Sequence, residues 1–392
     1  MDKNYFLNLW LFLIVILFFL SIPVVELQGA STFSDYSKEK NVPVVIIGKP
    51  NGFAEISVYD VCVKNRNHLW IVGEEVTNRG NQGVILYSSN GGVTWERQFT
   101  KFDTLLNDIL FINSDLGFAI GNTKQGNGVI LKSEDRGKTW STSYVEANGA
   151  LLEIHFITSE RGWILNGNGS MFLTFNSGKT WERVNIDKAK RITTFDFVDK
   201  FYGLVVGNDG QVFKTDNGGK TWTSISRRLI KILGRIQPSQ VDFKEVKFTS
   251  PNVGYIGGEL LVKSKKSNKQ KTYNYHGFLL KTVDGGKNWT QIVISKELGF
   301  TSAELINDNE IWVVTTWGWS TGIILHTVDG GKVWNRIPIP NNGGRPFRIY
   351  FDNTNNGWLL NSFGMNYDFI FSTSDNGETW HKLNWNIYDP HI

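Results

Sequence analysis

The sequence predicts an all-β protein, a seven-bladed β-propeller with four strands per blade, and three observations support this prediction. One eight-residue motif occurs seven times at nearly regular spacing. Short apolar segments recur in the same order between its copies. The composition suits many short strands joined by tight turns, because 40 glycines and 26 phenylalanines accompany only 9 prolines in 392 residues. An apolar fraction of 41% also allows a sizeable core.

Each copy of the motif has a hydroxyl residue, Asn or Asp two positions later, Gly two after that, and Trp three further on. The Asn or Asp side chain can bond the backbone ahead of it and Gly permits a positive φ, so the motif predicts a tight turn. We expect the hydroxyl to tie this turn to the neighbouring strand and the Trp to pack between sheets. The pairs are Asn90 and Trp95, Asp135 and Trp140, Asn176 and Trp181, Asn217 and Trp222, Asp284 and Trp289, Asp329 and Trp334, and Asp375 and Trp380.

Three segments of strand length precede each motif, and its Trp opens a fourth. In one period these segments are 106–112, 116–121 and 128–132, and Trp140 follows. Four short strands in a period of about 40 residues are typical of a propeller blade. Seven such periods predict a propeller over residues 42–392, with each motif in the turn between the third and fourth strands.

The N-terminal residues 1–31 have the pattern of a targeting segment. Residues 9–25 are apolar apart from Ser21, and small residues follow at 29–31. This pattern predicts a cleaved secretory signal, although the apolar run also approaches the length of a membrane span, so an uncleaved anchor stays open. We expect an exported protein of the periplasm, a thylakoid lumen or the cell surface, tethered through residues 9–25 if the segment is retained.

The repeated motifs are Asp boxes, also called BNR repeats. Together with Gly-aromatic-x-x-Gly before the third strand, as at 117–121, and Asp-Gly-Gly-Lys-x-Trp after it, the chain resembles the photosystem II stability and assembly factor family over nearly all of residues 42–392. The resemblance implies a seven-bladed propeller on the lumenal or periplasmic side of photosynthetic membranes. It also implies a non-enzymatic partner of newly made photosystem II core subunits. Cyanobacterial members are often lipoproteins, whereas no cysteine stands directly after the apolar run here.

Positive charge is concentrated around the fifth predicted blade. The chain has a net charge of +4, but two insertions, 223–241 and 260–275, hold nine basic residues and no acidic one. Strands alternate in direction within a blade, so both insertions should emerge on one face, opposite the Asp boxes. We predict a partner-binding surface there, with the paired tryptophans of the next blade beside it: Arg227, Arg228, Lys231, Arg235, Lys263, Lys265, Lys266, Lys269, Lys271, Trp317 and Trp319.

Such a surface favours an acidic protein partner, with photosystem II core precursors implied by the resemblance, or peripheral contact with an anionic membrane. The apolar side of 229–236 could instead cover the propeller, with the lysines merely solvated. Nucleic acid is not expected, since the chain is exported and lacks a basic groove with interleaved aromatic residues. We expect a monomer.

Catalytic interpretations are weaker. Arg336-Ile-Pro338 follows an Asp box rather than preceding the first one, as a sialidase would require, and Phe347–Tyr350 lacks the proline. The first strands carry carboxylates for which channel lining is the default interpretation: Asp60, Asp108, Glu153, Asp196, Glu245 and Glu304. No catalytic residue, metal or cofactor is expected, because the histidines lack ligand spacing and the boxes lack the acidic density of a calcium loop.

Cys62 is expected to be a small buried hydrophobic residue rather than a nucleophile. Two alternatives from other classes stay open. One is a carbohydrate-binding or glycoside-cleaving, sialidase-like propeller in which Trp317 and Trp319 stack on sugar. The other is a cell-surface adhesion propeller.

Overall fold

The structure is a computed structural model that describes residues 45–46, 55–263, 273–293, 295–296, 298–317, 321–339, 345–352, 355–362, 368–383 and 386–388. The targeting segment predicted for 1–31 lies outside these residues, all of which belong to one unit, Val44–Ile392. No helix within the described ranges is long and apolar enough to cross a membrane.

Seven sheets, each with four antiparallel strands consecutive in the chain, follow one another, which confirms the seven-bladed prediction. Within each set of four the spatial order of strands equals the chain order, two terminal strands extend the first sheet, and first strands of neighbouring blades contact each other around the axis. The strands are, blade by blade, β2 (Glu55–Val63), β3 (Leu69–Thr77), β4 (Gly80–Ser88), β5 (Trp95–Phe102); β6 (Thr104–Phe111), β7 (Gly117–Thr123), β8 (Gly128–Ser133), β9 (Ser141–Val145); β10 (Leu151–Phe156), β11 (Gly162–Asn166), β12 (Ser170–Thr174), β13 (Glu182–Asn185); β14 (Ile192–Phe197), β15 (Gly203–Gly207), β16 (Val212–Thr215), β17 (Thr223–Ser224); β18 (Val241–Phe248), β19 (Gly254–Lys263), β20 (Tyr273–Thr282), β21 (Thr290–Val293); β22 (Gly299–Leu305), β23 (Ile311–Trp317), β24 (Thr321–Thr327), β25 (Asn335–Pro338); and β26 (Arg345–Phe351), β27 (Gly357–Ser362), β28 (Asp368–Thr373), β29 (His381–Lys382).

The ring closes by packing and by two terminal strands. The core consists of seven apolar clusters, one at each blade-to-blade interface, and the cluster between blades seven and one joins Trp358 and Leu360 to Ile71 and Trp95. At the outer edge of blade one, β30 (Asn386–Tyr388) pairs in parallel with β5, and β1 (Val45–Ile46) pairs with β30. Both ends of the described chain therefore meet on the same blade.

All seven Asp boxes occupy the turn between the third and fourth strands, as the sequence predicts. In the first box the Thr94 amide donates to Asn90 Oδ1 at 2.9 Å, and the Gly92 amide, at a φ of 92°, donates to Ser88 Oγ at 2.8 Å. Equivalent bonds recur in the other six boxes. The hydroxyl thus bonds inside its own turn rather than to the neighbouring strand.

The box tryptophans pack between adjacent sheets, as predicted. Trp222, for example, meets Phe197 edge-on with ring centroids 6.0 Å apart, and Phe197 stacks at 3.8 Å on Trp163 of the preceding blade. The same arrangement joins blades one and two through Trp140, Phe111 and Trp70. Aromatic stacks of this kind add stability beyond buried area, so the repeat fixes both the turn and the joint beside it.

Every first strand carries a β-bulge at the same place, such as between Val58 and Asp60 in β2. A bulge re-aims the side chains that follow it. It thereby defines two rings of residues, one from each blade, around the axis. The first ring follows the bulge and contains Asp60, Asp108, Glu153, Thr194, Glu245, Ser302 and Arg348, and the second, two residues later, contains Cys62, Leu110, His155, Asp196, Lys247, Glu304 and Tyr350.

Candidate partner-binding face and axial channel

The first basic insertion forms a short helix, α1 (Ser226–Ile232), followed by a 3₁₀ turn, Pro238–Gln240. Its apolar side packs into the core between blades four and five, where Leu229 is fully buried and Ile230 and Leu233 nearly so. The apolar side therefore covers the propeller, and it is not available for insertion into a membrane.

The basic side of the insertion faces solvent. Arg227, Arg228, Lys231 and Arg235 are all exposed. No ion pair joins any of these four to an acidic residue in the part of the chain that the structure describes, whereas Lys214 nearby is paired to Asp216 at 2.7 Å. The insertion thus presents four positive charges, three on the helix and Arg235 just after it, on a base fixed by buried side chains.

The second insertion prolongs the hairpin of blade five. Strands β19 and β20 have ten residues each, against five and four in the corresponding β15 and β16 of blade four. Gln240 Nε2 donates to the Leu261 carbonyl at 3.1 Å, and Val241 pairs with Leu260, so the two insertions are in contact. They share one sector of the face opposite the boxes, as strand alternation predicts.

The other predicted contact residues lie at strand ends or outside the described residues. Lys263 ends β19 and Trp317 ends β23. Lys265, Lys266, Lys269, Lys271 and Trp319 lie outside the described residues. Their role in partner binding stays a prediction.

A groove with a volume of about 810 Å³ lies between α1 and the outer edge of blade four. It exists because the fourth strand of this blade, β17, has only two residues, so α1 replaces the rest of the strand. Its lining combines the apolar Trp222, Ile230 and Ile236 with the Arg227 side chain and the 209–211 turn. The sequence analysis did not predict this groove, although the unusually short interval between Trp222 and the helical pattern indicated it.

The six carboxylates singled out on the first strands do line the axial channel, and four of them bind a backbone amide of the next blade. Asp108 Oδ2 accepts from the Ile154 amide at 2.6 Å, and Asp196 Oδ2 accepts from the Phe248 amide at 2.7 Å. Asp60 and Glu153 accept in the same way from the amides of residues 109 and 195. The first strand is a sheet edge whose amides lack a partner on the axis side, so these side chains join the blades.

The remaining channel groups form pairs across blades. Lys247 Nζ lies 2.8 Å from Glu304 Oε2, and Arg348 Nη1 lies 4.0 Å from Glu245 Oε2. The Tyr350 hydroxyl donates to Asp60 Oδ1 at 2.5 Å and so links blade seven to blade one. The sequence analysis did not predict that Lys247, Arg348 and Tyr350 line the channel. Their equivalent positions in the repeat, which form the two rings, could have indicated it.

Burial dominates the protonation of the channel. Burial raises the pKa of Glu153 to about 7, with the nearby Glu245 carboxylate adding to the effect. Burial also raises the pKa of Asp196 to about 7 and lowers that of His155, 3.3 Å from it, to about 4. Glu153 and His155 keep part of their surface open to the channel, but protein encloses the channel, so burial still governs both groups.

Each of the six first-strand carboxylates thus bonds to a backbone amide or faces a cation of another blade. Arg336 lies on the outer strand β25 and is exposed, away from the channel. Cys62 is buried, accepts a bond from the Phe111 amide at 3.3 Å, and has its pKa raised by burial to about 12, which fits the predicted inert residue. Within the described ranges, no group of three or more His, Cys, Asp or Glu side chains could hold a metal ion.

A family model described as "Photosynthesis system II assembly factor YCF48" matches residues 173–299 and 266–387. The two matches together cover more than half of the chain, from the third Asp box onwards. The chain belongs to this family. No curated protein matches the chain in sequence.

Solved propeller structures resemble the chain in fold. A structure of YCF48 bound to D1 peptide is 16% identical, with a TM-score of 0.57 over 82% of this chain and 97% of that one. YCF48 from Cyanidioschyzon merolae is also 16% identical, with a TM-score of 0.57 over 86% of this chain and 99% of that one. A GH74 xyloglucanase from Xanthomonas campestris is 12% identical, with a TM-score of 0.60 over 88% of this chain and 56% of the enzyme. At these identities the likeness concerns the propeller fold, which hosts both YCF48 proteins and glycoside hydrolases.

Proposed function

We propose that this YCF48 family member is an exported, non-enzymatic scaffold that binds assembly intermediates of membrane proteins, and photosystem II core precursors in particular. The observation that carries the proposal is the exposed basic side of α1, with four cations that no described acidic residue neutralises. Of these cations, Arg227 also lines the groove of about 810 Å³, whose lining mixes the apolar Trp222, Ile230 and Ile236 with Asp187, Lys188 and Asp209. Exposed cations beside a partly apolar groove suit an extended acidic segment of a partner.

The family assignment supports the same partner class. A YCF48 structure contains a D1 peptide, and we propose that a segment of this kind is bound here too. The channel carboxylates serve blade-to-blade bonds, which favours binding over catalysis. The proposed location is the exported side of a membrane, reached through residues 1–31.

Affinity recovery of the tagged full chain from gently solubilised native membranes tests the proposal. The test variant reverses four charges on the basic side: Arg227→Glu, Arg228→Glu, Lys231→Glu and Arg235→Glu. The matched control reverses four exposed box lysines on the opposite face: Lys138→Glu, Lys179→Glu, Lys220→Glu and Lys287→Glu. Both variants change the net charge equally, so only the face differs.

We expect wild type and control to recover photosystem II core precursors, and the α1 variant to recover on the order of tenfold less, with the difference shrinking at high salt. Equal recovery by both variants would show that α1 is not the contact surface. Recovery of no membrane-protein intermediate by wild type would contradict the function itself. A glycan array and chromogenic glycosides would then test the carbohydrate alternative.

A further inference from the structure

The axial channel contains more carboxyl groups than cations. Glu304 is paired with Lys247 and Glu245 with Arg348. The other four, Asp60, Asp108, Glu153 and Asp196, have no lysine or arginine within ion-pair distance among the described residues. Unpaired buried carboxylates are costly, and such groups generally keep a proton instead.

Two buried carboxyl groups from blades one and two come together on one backbone amide. The Ile109 amide donates to Asp108 Oδ1 at 2.9 Å and to Asp60 Oδ2 at 3.2 Å. Two carboxyl groups held this close in a buried site favour one shared proton over two negative charges. Asp60 also accepts from Tyr350 of blade seven, and Asp108 accepts from the Ile154 amide of blade three. One shared proton therefore sits at a junction that connects four consecutive blades across the closure of the ring.

Glu153 continues this chain of contacts. Its Oε2 accepts from the Thr194 hydroxyl at 2.7 Å and from the Phe195 amide at 3.0 Å, both in blade four. Glu245 lies close enough to act on it electrostatically. Ionisation of Glu153 would place a second negative charge beside Glu245 and strain the joint between blades three and four.

We propose that the axial channel is a pH-responsive lock, in which protons held by Asp108 and Glu153 keep the blade-to-blade joints closed and their loss at alkaline pH loosens the ring. The lock acts on the joints because Asp108 accepts from the Ile154 amide of the next blade and Glu153 accepts from Thr194 and Phe195 of the next blade. It ties the rigidity of the propeller to the pH of its compartment.

The protonation equilibria of the channel support the lock. Burial and the Asp60 carboxyl raise the pKa of Asp108 well above its ordinary value, and burial raises that of Glu153 to about 7. A group with a raised folded pKa adds stability that is complete below its unfolded pKa of about 4 and is lost as the pH rises through the folded pKa. Stability should therefore fall from mildly acidic to alkaline pH.

The other titratable groups that face the lock do not reverse this sign. The Asp196–His155 pair adds little to the pH dependence of stability below neutral pH. Burial raises the carboxyl pKa to about 7 and lowers the imidazole pKa to about 4, so one proton stays with the pair. Cys62 and Tyr350 stay neutral because burial raises both pKa values. Lys247 stays charged, because Glu304 and Glu245 outweigh burial and hold its pKa high, and Arg348 is always charged.

Equilibrium unfolding of the full chain in urea at pH 6.0 and pH 8.5, at fixed ionic strength and in one mild detergent, tests the lock. Glu153 alone should raise the unfolding constant about tenfold between these pH values, and Asp108 should raise it further. Glu153→Gln and Asp108→Asn mimic the protonated side chains and should each reduce this ratio. Asp135→Asn, in the Asp box of the same blade as Asp108, is the control and should leave the ratio unchanged.

Hydrogen exchange locates the effect. Corrected for intrinsic rates, protection of the β6 and β10 amides should fall at pH 8.5 in wild type and persist in Glu153→Gln. A wild type as stable at pH 8.5 as at pH 6.0 would overturn the proposal. The proposal would also fail if both variants kept the full wild-type ratio of unfolding constants between pH 8.5 and pH 6.0. If Asp108→Asn did not fold, the ratio measured for Glu153→Gln alone would decide.

Discussion

The Asp boxes and the axial channel both use side-chain oxygens to bind backbone amides, yet they stabilise opposite protonation states. In the second box Asp135 accepts from the Thr139 hydroxyl at 2.6 Å and from the Thr139 amide at 2.9 Å, and these bonds lower the pKa of the carboxyl. In the channel Asp108 accepts from the Ile154 amide at 2.6 Å, and its pKa is nonetheless raised. Both residues belong to blade two.

The difference lies in solvent and neighbouring charge rather than in hydrogen bonding. Asp135 opens to water and has Lys138 beside it, so the anion is solvated and only gains from its donors. Asp108 is enclosed and faces the carboxyl groups of Asp60 and Glu153, so burial and repulsion outweigh its donors. Aspartate therefore supports the fold as an anion in the Asp box and as a protonated acid in the channel.

The largest expected effect comes from deleting a channel acceptor. Asp196→Ala leaves the Phe248 and Phe197 amides, now bonded at 2.7 and 2.8 Å, without a partner. We expect the free energy of unfolding at pH 6 to fall by about 2–4 kcal/mol. Asp196→Asn keeps one acceptor oxygen and should cost clearly less. Urea unfolding measures both, and a change within about 0.5 kcal/mol for Asp196→Ala would contradict a structural role for the channel carboxyls.

A box hydroxyl should matter less, and only where it is buried. Thr215 is 1% exposed and its Oγ1 accepts from the Gly219 amide at 2.9 Å. Thr215→Val should lower the free energy of unfolding by about 1–2 kcal/mol, because that amide loses its partner. The exposed Thr221 of the same box, which accepts from Asn217 Nδ2 at 2.8 Å, provides the control. If Thr221→Val lowered the free energy of unfolding as much as Thr215→Val, burial would not explain the loss.

The sequence predicts the boxes well because their bonds are local. Each connects residues two or four positions apart, as Ser88 and Asn90 do with Gly92 and Thr94, so the repeat contains its own structural explanation. Seven copies at nearly constant spacing then determine the number of blades. The aromatic joints follow from the same repeat, since in five blades the box Trp meets the Phe that ends its own first strand, as Trp222 meets Phe197.

The channel is less predictable because its bonds are remote. Asp60 and Tyr350 are 290 positions apart and become neighbours only when the ring closes. The candidate acids were identified by strand position, but the bulge decides which ring each occupies, and it places Asp196 and Glu304 one ring further along than Asp60. Similarly, the periodicity of α1 predicts an apolar side, but only the packing against blades four and five shows what covers it.

The smallest expected effect separates the two sets of carboxyls at acid pH. Side-chain bonds from Thr373 and Thr379 and the Thr379 amide lower the pKa of Asp375 to about 2. A lowered folded pKa adds stability that is present above about pH 4 and is lost as the pH falls towards 2. Asp375→Asn should therefore reduce the drop in melting temperature between pH 4.5 and pH 2.5. Glu153→Gln should leave that drop nearly unchanged, because Glu153, with a pKa of about 7, is already protonated in the folded protein. If Glu153→Gln changed this drop in melting temperature as much as Asp375→Asn does, the Asp-box and channel carboxyls would not differ in the way their surroundings imply.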